Sequence, residues 1–357
     1  MLLTASAAAA LFAADRPILT VAPTRDQKVV KRWTLKGEPH GVAIGRDGIV
    51  YVGLAGPQSV LAIDSKTGTI AKEIVLDSAE IASTKELVTL RTNADRSRLY
   101  IANGSDESAS ILSLPDLAVL REITIEGEAI RDALPDPNGR YLYLLGRRVH
   151  VYDAKGETEL RTIDIDDPMA IATTSNGATL AVLGTEDFGN TRATVVALYD
   201  TNGFAELARD PLQTDRRVEA ALFAAGDRAL IALGREYMYE KPLVSRAAKT
   251  MSSSSNGTMR MKIDFGDLVN SDRICLPEGS GPQIATLGAA TDQVLFAERR
   301  CSSSTGFAGS SRRVSPASLY GVNAYAIAYD AVANTLVVTD RAGFVTIYKV
   351  PRAAVAR

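Results

Sequence analysis

A short apolar run recurs seven times along the chain, each time among turn-forming residues. The runs are Val50-Tyr51-Val52-Gly53, Leu99-Tyr100-Ile101-Ala102, Leu142-Tyr143-Leu144-Leu145, Leu180-Ala181-Val182-Leu183, Leu230-Ile231-Ala232-Leu233, Val294-Leu295-Phe296-Ala297 and Leu336-Val337-Val338-Thr339. Successive runs lie roughly 40 to 60 residues apart, which brackets the period of four-stranded propeller blades. Each run is apolar at consecutive positions, as a strand packed on both faces requires.

The flanking residues supply the other strands. Asp47-Gly48, Asn138-Gly139, Asn176-Gly177 and Gly226-Asp227 precede runs and tolerate positive φ, so two-residue hairpins are expected there. A second strand follows each run, as in Ser59 to Asp64, Val149 to Asp153 and Val195 to Asp200. A further strand comes after the next turn, as in Thr69 to Leu76, Val119 to Ile125 and Leu160 to Ile165. This pattern predicts an all-β, seven-bladed β-propeller of four-stranded antiparallel blades. The seventh repeat holds only three strands and stops at Pro351. The segment Lys28 to Leu35 is the natural fourth, so an N-terminal strand is expected to complete the last blade and close the ring. The domain plan is therefore an apolar leader (1–14), a linker (15–27), one propeller domain (28–351) and a tail (352–357).

The stretches GEPHGVAIGRDGIVYVGLAGPQSVLAIDSKTGTI (Gly37 to Ile70) and RLYIANGSDESASILSLPDLAVLREI (Arg98 to Ile123) resemble the YVTN family of bacterial β-propellers. The likeness lies in the Asp-Gly turn, the Tyr-Val-type strand, and the Val-x-Asp strand with its Thr-Gly turn. It is strongest over blades one to three, weaker in four and seven, and poor in five and six. Blade five carries a Ser-rich stretch, Ser252 to Gly257, read as a flexible loop. Few residues follow Cys301 for the last two strands of blade six. The resemblance implies an exported binding or surface protein. Related propellers include lactonases and non-catalytic subunits of periplasmic amine dehydrogenases.

Composition narrows the classes. With 46% hydrophobic and 23% charged residues, the chain has the balance of a folded domain. A net charge of −2 gives no basic footprint, so no nucleic-acid partner is expected. The pairs at Arg147-Arg148, Arg216-Arg217, Arg299-Arg300 and Arg312-Arg313 are scattered and read as solvated arginines. Met1 to Ala14 is too short to span a bilayer and resembles the apolar part of a secretory signal, although no Lys or Arg precedes it. A periplasmic or extracellular location follows as an expectation, with no later transmembrane segment. In that setting Cys275 and Cys301 are expected to form a disulfide, because the exits of the outer strand of blade five and the second strand of blade six open on the same face. Zinc spacing, a CxxCH haem site and an EF-hand loop are all missing, so no cofactor is expected.

Function is less constrained than fold. The favoured reading is a non-catalytic binding or scaffold module that recognises a small molecule or protein at the axial mouth or face loops. It is expected to be monomeric unless part of a periplasmic complex. A dehydrogenase subunit and a lactonase or lyase are the alternatives, so catalysis stays open. His40, Arg131 and Met169 each stand seven residues before a turn, which places them at one height around the axis. Glu219, Gln283 and Tyr325 fall near the same height with longer turns. Arg131 would suit a carboxylate or phosphate, and His40 would make binding pH-dependent. His150, inside Val149-His150-Val151, reads as an inter-blade hydrogen-bonding residue, and Asp164, Asp166 and Asp167 as a solvated strand edge.

Overall fold

The computed structural model describes residues 29–55, 58–76, 88–104, 107–189, 191–212, 217–235, 237–248, 260–265, 269–273, 275–276, 281–288, 293–298, 315–320 and 323–350. The described strands pair into seven sheets. After β1 (Val29–Thr34), the first sheet is β2 (Glu38–Ile44), β3 (Ile49–Ala55), β4 (Ser59–Asp64) and β5 (Ile70–Val75). The second is β6 (Val88–Thr92), β7 (Arg98–Asn103), β8 (Ser108–Ser113) and β9 (Val119–Thr124). The third is β10 (Asp132–Pro135), β11 (Tyr141–Leu145), β12 (Val149–Asp153) and β13 (Glu159–Ile163). The fourth is β14 (Asp166–Thr173), β15 (Thr179–Phe188), β16 (Thr191–Asp200) and β17 (Glu206–Pro211). All four are antiparallel, with neighbours in chain order.

The next two sheets depart from the repeat. In the fifth, β18 (Val218–Ala224), β19 (Ala229–Gly234) and β20 (Tyr237–Ala248) run on into β21 (Arg260–Phe265) and β22 (Val269–Arg273). The first half of β20 pairs with β22, and its second half, Leu243 to Ala248, pairs with β21. The insertion is thus carried on a β-hairpin extending the third strand; the Ser-rich stretch itself lies outside the described residues. Among the described residues the sixth sheet has three strands, β23 (Ala285–Leu287), β24 (Gln293–Glu298) and β25 (Ser315–Tyr320), and β24 pairs with β25 in parallel. The expectation of four antiparallel strands fails there. A parallel partner needs a long crossover in place of a hairpin, and residues 299–314 are long enough to supply one.

The seventh sheet is β26 (Ala324–Asp330), β27 (Thr335–Asp340) and β28 (Phe344–Lys349), with β1 paired antiparallel to β28. The N-terminal strand therefore completes the last sheet, as the sequence pattern predicts. Trp33 of β1, 1% exposed, sits in one cluster with Val42, Val52 and Ile63 of the first sheet and Val337 and Val345 of the seventh. Its indole occupies the space a Cβ would need at Gly68, whose φ of +78° already favours glycine. Other clusters fill the spaces between consecutive sheets. The core is therefore a ring of inter-sheet layers, which explains why the apolar runs are continuous.

The hairpin turns are longer than expected. Gly45 N–H bonds Ile49 O, Asp136 bonds Tyr141 and Thr174 bonds Thr179, leaving loops of three and four residues in place of two. Cys275 is buried and is not a free thiol; Cys301 lies outside the described residues, as do the leader, the linker, Lys28 and the tail.

Candidate functional site

The inner strands β2, β6, β10, β14, β18, β23 and β26 surround the axis, and their starts define one face, here the mouth face. An inner strand pairs on one side only. Its axial edge presents N–H and C=O groups that need partners when buried. Gln283, just ahead of β23, meets that need. Its Oε1 accepts the Leu90 N–H at 2.9 Å, and its Nε2 donates to Leu90 O and, at 3.1 Å, to Val42 O. One amide from the sixth sheet thus holds the inner edges of the first and second. Gly41 makes the approach possible, since a Cβ there would lie 2.4 Å from Val88 O and 2.9 Å from Gln283 Oε1.

The other residues expected at the mouth are also engaged. His40 is fully buried; its Nδ1 accepts the Val88 N–H at 3.3 Å, and its carbonyl accepts the Thr339 hydroxyl. Nδ1 is thus an acceptor, and Nε2 lies 3.7 Å from Glu38 Oε2. Its ring packs 4.1 Å from that of Tyr325. Arg131 donates to the carbonyls of Gly146, at 2.9 Å, and Pro168, bracing the third and fourth sheets. Met169 is buried in the layer between the fourth and fifth. Glu219 bonds Arg235 at 3.1 Å. His40, Gln283 and Tyr325 therefore come together, with no room for a water molecule in the small void beside them. Arg131, Met169 and Glu219 stand apart from that group.

Three further features leave no signal in the sequence pattern. Asp132, fully buried, takes a bidentate pair from Arg91 at 2.8 and 3.1 Å. Arg341 lies with its guanidinium carbon 5.0 Å over the Tyr325 ring. Burial pushes the Tyr325 phenol above its usual value; nearby Arg341 works against this and Glu38 with it. The third feature is a groove of about 320 Å³ between the first two sheets, lined by Leu54, Ser59, Val75, Val88, Ile101 and Ser110 among others.

His150 lies between two carboxylates, with Nδ1 2.8 Å from Glu159 and Nε2 3.0 Å from Glu128 on the connection from the second sheet. Its expected role as a tie between blades agrees with that geometry. Desolvation pushes both carboxyls up. The hydrogen bond and charge of His150 outweigh it, helped by the Arg147 and Arg148 N–H groups at Glu128 and by Thr162 at Glu159, and hold both below the usual range. Asp164, Asp166 and Asp167 are exposed, as a solvated edge requires. Among the described residues, no group of three or more His, Cys, Asp or Glu is placed to hold a metal, and no helix is long and apolar enough to cross a membrane.

Radial sheets, inner strands around an axis and an outer strand borrowed from the N-terminus define one architecture. The chain folds as a β-propeller. It is similar to the crystal structure of the Cps50 (Swd1) β-propeller domain of Myceliophteria thermophila, with a TM-score of 0.62, at 13% identity, over 90% of this chain and all of that one. No family model and no curated protein matches the sequence. At that identity the likeness extends to the fold alone.

Proposed function

We propose that this propeller is an exported, non-catalytic binding or scaffold module of the YVTN type, with seven blades, and that it recognises its partner on the mouth face. The three-stranded sheet is taken as the sixth blade. The observation that carries the reading is the amide of Gln283 joined to the inner edges of two other sheets. Buried hydrogen-bonding groups at the axis are spent on holding the ring, so the residues left for recognition are those on the face around it. Face loops on a rigid ring are where propellers have freedom to vary.

A thermal-shift screen of small metabolites and peptides tests this, since a ligand that binds only the folded state raises apparent stability. A ligand whose effect is lost on mouth-face substitution supports the reading. One unaffected by any such substitution moves the site to the opposite face. Hydrolysis of a simple lactone, abolished by His40→Ala, would replace the binding reading with a catalytic one. Recovery from the periplasm with residues 1–14 removed tests export.

A further inference from the structure

We propose that Arg341 and Tyr325 form a receptor for an oxyanion, a carboxylate or phosphate carried by a small ligand, on the mouth face between the seventh and first sheets. The inference rests on the mouth-face reading and names the chemistry recognised there. Arg341 lies in the turn between β27 and β28, on the face where Tyr325 begins β26. Its main chain is fixed by an N–H bond to Asn323 O at 3.1 Å, and its guanidinium carbon lies 5.0 Å over the Tyr325 ring. The Tyr325 ring is in turn backed by His40, which is itself held by Val88 and Thr339. The cation is therefore positioned by a stack rooted in the axial core.

What it lacks is an acceptor. The Nε–H of Arg341 is buried and meets no hydrogen-bond partner among the described residues, and no carboxylate there lies within ion-pair distance of the guanidinium. The adjacent Asp340 makes no ion pair with it; its Oδ1 accepts the Ala342 N–H at 2.7 Å. A buried donor on a charged group is costly to leave unmade. Two other arginines near the axis do have acceptors: Arg91 has Asp132, and Arg131 has Gly146 and Pro168. A guanidinium fork binds a planar carboxylate or a phosphate through two parallel bonds. Tyr325 keeps its proton, since burial raises its pKa, so its hydroxyl adds a third donor. Glu38, on the His40 side of the stack, repels a second negative charge and favours a monoanionic group.

The test follows the Arg341 Nε–Hε resonance by NMR in the full chain, assigned by its disappearance in Arg341→Met. Acetate and inorganic phosphate are titrated at constant ionic strength against chloride. The expected result is a saturating shift of that resonance, with the tighter anion identifying a carboxylated or phosphorylated ligand. Arg341→Lys, read through the backbone amides of Ala342 and Tyr325, weakens binding about tenfold because it keeps the charge and loses the fork. Tyr325→Phe, which keeps the stacked ring, weakens it severalfold. A linear drift no larger than that of other arginines, for both anions, overturns the proposal; so does unaltered binding in Arg341→Met. A ligand from the thermal-shift screen that still binds the mouth face of Arg341→Met would overturn the oxyanion receptor and leave the mouth-face reading standing.

Discussion

If the Gln283 amide holds the inner edges of the first two sheets, shortening it should cost far more than an ordinary surface change. In Gln283→Ala three buried groups lose their partner: Leu90 N–H, Leu90 O and Val42 O. Each unmade bond costs about 1–3 kcal/mol when water cannot enter. The void beside Gln283 admits no water in the intact protein, but truncation opens space for one or two, which would relieve part of the loss. A net destabilisation of about 3–5 kcal/mol follows. With an unfolding entropy of about 2.1 cal/mol/K per residue, that lowers Tm by roughly 4–7 °C in a chain of 357 residues. Gln283→Leu separates packing from hydrogen bonding: it refills the volume and leaves the same three groups unmade, so it should not rescue. Gln283→Glu removes both donors and sets a negative charge beside two carbonyl oxygens, so it should be at least as damaging as alanine. Differential scanning calorimetry of the three variants, with circular dichroism to verify the sheet content, provides the measurement. A Tm within about 1 °C of the parent for both alanine and leucine would refute the reasoning and leave main-chain packing alone holding the axis.

Deleting residues 28–35 should cause aggregation or loss of cooperative unfolding, seen by size exclusion and calorimetry, because it bares the edge of β28 and removes buried Trp33. Intact mass before and after reduction should show one Cys275–Cys301 disulfide, worth about 3.5 kcal/mol on the chain-entropy model; two free thiols in untreated exported protein would end that idea. Glu128→Gln should lower Tm at neutral pH, with the difference closing as pH falls below about 4. The sign follows from the lowered carboxyl pKa values of Glu128 and Glu159: their contribution is complete above the unfolded value and is lost as pH falls through the folded one. Gly68→Ala should be strongly destabilising by thermal melt, since its Cβ would fall 2.2 Å from the Trp33 Nε1.

Strand positions were legible in the sequence where the period held. Ser59–Asp64 and Val149–Asp153 match the structure end to end, and β1 pairs where the missing strand of the last repeat called for it. The reason is physical: a blade packed on both faces demands a continuous apolar run, and only its turns can vary. Legibility failed where chain was inserted. The extension Leu243 to Ala248 pairs through its main chain with β21, and such pairing makes no demand on which residues are apolar. The parallel pairing of β24 with β25 is likewise invisible to periodicity, because direction leaves no mark on which residues are apolar.

The axis was harder to read for a different reason. A seven-residue register to the following turn can place His40, Arg131 and Met169 at one height, but height does not say whether a side chain faces the ligand or the protein. That depends on which backbone groups around the ring lack partners, a property of the assembled inner edges and of no single repeat. Gln283 looks from the sequence like a ligand-facing amide; in the ring it stands in for a missing strand. Arg341, in an ordinary turn, gives no signal in its own repeat, and its interest arises only because Tyr325 and His40 raise it over the mouth without supplying an acceptor. The visible clue was Gly41. A glycine inside an inner strand, immediately after a histidine, marks a place where another chain segment comes within contact of the backbone, and here that segment is the Gln283 side chain. A search for function in such a ring should therefore first ask which axial polar groups the fold has already used, and then look at the donors that remain.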